Sequence, residues 1–146
     1  MGNFKKIALI FGCLFLLLIS WLVVLSNDSD LDKQRALKAQ AEDYLEDDIY
    51  IRALPLLQNA ASYKTELTSE INQMLKETYV ALGDYRSYID FLTILMSEKN
   101  PSADVFSEAA EYYLDTNKFK EAIAVLVDGI SKTNDAGLID LYEEYR

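Results

Sequence analysis

Residues Phe106 to Gly129 read FSEAAEYYLDTNKFKEAIAVLVDG. Apolar and small residues fall at Phe106, Ala109, Ala110 and Tyr113, then at Phe119, Ala122, Ile123, Leu126 and Gly129. Both sets follow the i, i+3, i+4, i+7 spacing of a single helix face. Asn117-Lys118 lies between them as a turn. The stretch predicts two short helices packed on each other, with Ala and Gly where the backbones approach.

The same arrangement recurs toward the N-terminus. Tyr50, Tyr85 and Phe119 open the second helix of each pair, at separations of 35 and 34 residues. Turns precede them at Asp47-Asp48, Gly83-Asp84 and Asn117-Lys118. Gly83 and Asn117 suit the left-handed conformation that ends a helix, and Asp84 can cap the next one. Six residues before each aromatic stand Tyr44, Tyr79 and Tyr113; nine before stand Ala41, Lys76 and Ala110. Three residues after come Ala53, Tyr88 and Ala122; seven after, Leu57, Leu92 and Leu126.

This pattern resembles the tetratricopeptide repeat (TPR), a helix–turn–helix unit of about 34 residues. The resemblance covers roughly residues 34–134. The first and third units match at all three characteristic positions. The middle one departs at Lys76 and Tyr88, and Tyr88 must fill space that Ala leaves open. The expected fold class is all-α: an N-terminal transmembrane helix, then a TPR-like α-solenoid of about three repeats, then a C-terminal helix. An anchor followed by such repeats is similar to the front half of Firmicute-like envelope proteins that continue into WG repeats, which are absent here.

Pro55 lies less than two turns into its helix, so a mild kink and no break is expected. Asn100-Pro101-Ser102 opens the third unit, with Pro101 expected in a first helical turn. Residues 135–146 form an amphipathic helix with Leu138, Leu141, Tyr142 and Tyr145 on one side. That helix reads either as a terminal cap or as the first helix of a truncated fourth unit.

Residues 7–26, IALIFGCLFLLLISWLVVLS, are uncharged. Twenty helical residues span roughly 30 Å, the thickness of a bilayer's hydrocarbon core. Lys5 and Lys6 precede the run and Asp28, Asp30 and Asp32 come after it. The positive-inside rule puts residues 1–6 in the cytoplasm and the body outside, which predicts a single-pass protein of the cell membrane. A cleaved signal peptide is the competing reading, and no A-x-A-like site follows the run. Cys13 loosely resembles the cysteine of a lipoprotein box, but the apolar run continues past it. Met1-Gly2 lacks the Ser or Thr at position six that myristoylation wants. Residues 27–33 read as an acidic stand-off linker. Asp28, Asp30 and Asp32 have calcium-loop spacing, but Lys33 and Ala39 stand where Gly and Glu are required.

The formal charge is −10, from 14 Lys and Arg against 24 Asp and Glu. Two of those cations precede the apolar run, so residues 27–146 carry −12. Nucleic acid is an unsuitable partner for such a body. Histidine is absent and Cys13 is the one cysteine. That composition removes an intrachain disulfide, the usual zinc sites and every nucleophile–His pair. No glycine loop cradles a phosphate. The carboxylate pairs Glu42-Asp43, Asp47-Asp48 and Glu143-Glu144 fall on turns and helix faces. No catalytic residue, cofactor or metal is expected.

In TPR arrays the first helix of each unit lines a concave face. Carried over, the resemblance implies a groove formed by Lys38, Glu42, Leu45 and Glu46 in the first unit. Gln73, Glu77, Val80 and Ala81 come next in the second, and Ser107, Glu108, Glu111, Leu114 and Asp115 in the third. The Lys and Asn pattern of the TPR carboxylate clamp is missing there, so a peptide ending in a carboxylate is not an expected ligand. The expected partner is a protein or peptide with a basic or amphipathic segment, held by a non-enzymatic adaptor. A chaperone of secreted chains and the stalk of a longer protein are the alternatives. A solvated acidic face is the bland reading of the same charges. Tyr112, Tyr113, Tyr142 and Tyr145 read as packing residues before they read as a binding surface.

Overall fold

The computed structural model describes residues 29–146, and its regular elements there are all helices. Helix α1 occupies residues 29–46 of the described chain. After it come α2 (Tyr50–Ala61), α3 (Thr68–Ala81), α4 (Tyr85–Met96), α5 (Ala103–Asp115), α6 (Phe119–Thr133) and α7 (Ala136–Tyr145). Among the described residues no helix is long and apolar enough to cross a membrane. The apolar run 7–26 lies outside them. Two compact units divide the chain, Met1–Thr78 and Tyr79–Arg146.

Three turns share one backbone design. Asp48, Gly83 and Asn117 have φ of 57°, 67° and 58°. In each turn the next residue's N–H reaches back to the carbonyl of the tyrosine five positions earlier: Ile49 to Tyr44 at 2.8 Å, Asp84 to Tyr79 at 3.0 Å, Lys118 to Tyr113 at 2.7 Å. The left-handed residue itself donates to Leu45, Val80 or Leu114 at 3.0–3.1 Å. These paired bonds satisfy carbonyls that a helix end leaves open, the Schellman arrangement. The second helix then begins at Tyr50, Tyr85 or Phe119. Asp84 caps α4 by accepting from the Ser87 N–H at 3.1 Å.

In the first unit, Ala41, Ala53, Leu57, Ala60, Ile71 and Leu75 are buried. Small residues at 41, 53 and 60 permit close approach. Gln34 is fully buried too. Its Nε2 donates to the carbonyls of Ala60 at 2.9 Å and Tyr63 at 3.0 Å, and its Oε1 accepts from Thr65 Oγ1. The start of α1 is thereby pinned to the end of α2 and the loop after it. α1 therefore runs through residues 29–33, where the sequence reading placed a linker. That segment has no Gly or Pro, and Lys33–Asp30 (3.2 Å) and Arg35–Asp32 (3.7 Å) pair one turn apart.

In the second unit α5 is central, packing on α4, α6 and α7. Leu92, Leu95, Val105, Phe106, Ala109, Ala110, Leu126 and Leu138 form its core. Gly129 is where α6 comes closest. A Cβ there would lie 2.7 and 2.8 Å from Phe106 Cγ and Cβ, and 2.9 Å from Leu138 Cδ1. Phe106 fills the space that the missing side chain leaves. The Tyr79 and Phe91 rings meet at 6.0 Å.

α2 runs unbroken through Pro55, as the sequence predicts. Two other expectations change in detail. Ser102 is the N-cap of α5, so Pro101 lies outside the helix and not in its first turn. On α7, Leu138 is buried and Tyr145 is exposed.

Candidate protein-binding face

The outward positions of α1 and α3 in the first unit are threaded with ion pairs. Lys38 reaches Glu42 one turn along at 2.5 Å and Glu70 on α3 at 3.1 Å. Those hydrogen bonds, Glu42 first, raise the lysine's pKa above its ordinary value. Glu42 is half-buried and already partnered. Leu45 is half-buried and Glu46 exposed; with Ala39, Glu42 and Asp43 they line a shallow, open concavity. On α3, Gln73 Nε2 donates to Glu77 at 2.8 Å in an exposed pair.

In the second unit Val80 and Ala81 are exposed at the end of α3. On α5, Glu111 and Asp115 are exposed, while Ser107 and Leu114 are half-buried. Glu108 is engaged within the fold: Tyr88 Oη donates to its Oε2 at 2.9 Å, bridging α4 and α5. Burial, then this carboxylate, pushes the Tyr88 phenol well above its usual pKa. The bulky residue at the expected Ala position is accommodated by turning its hydroxyl to Glu108. That pair, twenty residues apart, had no local signature in the sequence. The Lys38–Glu42 pair did, at i, i+4.

Of the nine expected contact residues, Glu42 and Glu108 are therefore committed to intramolecular contacts, and Gln73 and Glu77 pair with each other at the surface. Glu46, Gln73, Glu77, Val80, Glu111 and Asp115 lie at the surface, and Leu114 is partly covered. Two rows emerge from their numbering. Glu42, Glu77 and Glu111 repeat with separations of 35 and 34 residues, and Leu45, Val80 and Leu114 stand three positions later each time. Three positions is close to one helical turn, so each first helix presents a carboxylate beside an aliphatic group.

The tyrosines divide by position. Tyr113 and Tyr142 are half-buried. Tyr112 stacks on Tyr85 at 6.3 Å and meets Tyr113 edge-on at 5.7 Å. Tyr85 and Phe119 are about half exposed. Both sit at positions that the repeat pattern assigns to packing, so nothing local in the sequence marks them as surface residues. Among the described residues no group of three or more His, Cys, Asp or Glu is placed to hold a metal ion.

No protein-family model matches this chain, and no curated protein matches it either.

Proposed function

We propose that this chain is a non-enzymatic, TPR-like interaction module, anchored in the cell membrane by residues 7–26. On this reading the N-terminus is cytoplasmic and the acidic body extracytoplasmic. The observation that carries the proposal is the repeated carboxylate-plus-aliphatic pair on α1, α3 and α5, set in three turns of one backbone design. A partner segment that matches one such pair sets Lys or Arg opposite the glutamate and an apolar side chain opposite the aliphatic group beside it. Rim charges of this kind set approach rate and specificity more than raw affinity.

The test is crosslinking and recovery of partners from membranes with the chain carrying Glu77→Lys and Glu111→Lys. Both glutamates lie at the surface, so the helices should survive the change. The expected outcome is loss of the partners captured by the unmodified chain, with an unchanged melting curve. Capture that persists in full would move the binding surface to the second helices.

A further inference from the structure

The sequence alone places an acidic stand-off between the apolar run and the folded body. The structure leaves almost no room for one. The apolar run ends at Ser26, and α1 is helical from residue 29. Three extended residue steps cover at most about 11 Å. From residue 29 to Gln34 the helix adds only about 7.5 Å. Gln34 is fully buried and hydrogen-bonded to Ala60, Tyr63 and Thr65, so the packed interior of the first unit has already begun there.

Most of the negative charge lies farther along the chain. Residues 29–41 contain Asp30, Asp32, Lys33, Arg35 and Lys38, a net +1. Residues 1–28 also sum to +1, so residues 42–146 carry −12 against the chain's total of −10. The three cations near the start of α1 are matched at short range. Lys33 faces Asp30; Arg35 faces Asp32 and Glu66; Lys38 faces Glu42 and Glu70. With those partners the cluster sums to −2, three cations against five carboxylates, a weak repulsion from an anionic headgroup layer that the short tether must outweigh. The contact is imposed by the short tether, and salt screening limits the repulsion that it overcomes.

We propose that the first turns of α1 lie in the headgroup layer of the bilayer, so that the first unit is held against the membrane surface. This rests on the reading of residues 7–26 as a membrane anchor. It adds that the module works at the height of a lipid headgroup, within reach of the juxtamembrane parts of other proteins in the same membrane.

The experiment uses the full chain with Cys13→Ser and Lys33→Cys, labelled with a fluorophore at position 33. It is reconstituted in phosphatidylcholine vesicles containing a minority of phosphatidylglycerol and a lipid with a nitroxide on its headgroup. Loss of most of the fluorescence is expected. A second form carries about 12 Gly and Ser residues between Asn27 and Asp28, worth roughly 20 Å of reach. Its label should recover most of that signal, and its melting curve should match the parent's. Equal quenching in the two forms, or none in either, would overturn the seating while leaving the anchor intact. A chain that fails to float with the vesicles would remove the anchor and the seating with it.

Discussion

The two units use the same turn geometry and are held together by different means. In the first, the entry of α1 is fastened by polar chemistry: a buried glutamine on two carbonyls, and Lys38 between Glu42 and Glu70. In the second, α5 is fastened by shape: Phe106 fits against Gly129 and Leu138 in an apolar core. A backbone frame can thus be repeated while the groups that fill it change. Apolar packing gives energy that neither titration nor charge screening removes. The polar fastening adds direction, since a buried amide must meet its partners or leave them unsatisfied.

The largest effect should come from the apolar side. Phe106→Ala removes the ring that fills the space over Gly129, and should cost about 3–5 kcal/mol. Denaturant unfolding of the full chain in detergent measures it. Amide exchange should accelerate most in α5 and α6; acceleration greatest in α1 and α2 would break the contrast between the units.

Gln34→Ala removes a donor from the carbonyls of Ala60 and Tyr63, which keep the Tyr63 N–H and the Thr68 hydroxyl; the loss of these bonds should cost about 1–3 kcal/mol in all. Exchange at the start of α1 and around residue 63 is the sharper readout. A loss as large as that for Phe106→Ala would show that the polar fastening equals the apolar one.

The smallest effect belongs to Lys38. An ion pair near the surface contributes at most about 1 kcal/mol, and salt weakens it. Its pKa is raised in the folded chain, so its contribution is complete below the ordinary value of 10.5 and fades as pH rises beyond it. Lys38→Met should therefore flatten the dependence of melting temperature on salt and on alkaline pH. A melting curve for the unmodified chain that is already flat in both would remove Lys38 from the fastening.

Much of the fold was legible in the chain because it is local. The start of α4 comes from Gly83 in the left-handed conformation and Asp84 as cap, both residue-type properties. Asp48 adopts the same conformation, and the sequence named the turn there without singling out that residue, since Asp enters this region less readily than Gly. Of the candidate face, the stride was visible and the engagement of individual carboxylates was not. Glu108 read as an outward groove position until Tyr88, twenty residues earlier, was placed over it.

The sequence by itself determined the helical periodicity, the three turns and the charge of each segment, because these depend on neighbours within a few residues. Only the tertiary structure decided that residues 29–33 belong to a helix pinned to the body, that Gly129 exists to admit Phe106, and which glutamates remain exposed. Those outcomes depend on contacts between residues distant in the chain, and a burial or a hydrogen bond of that kind has no period to read.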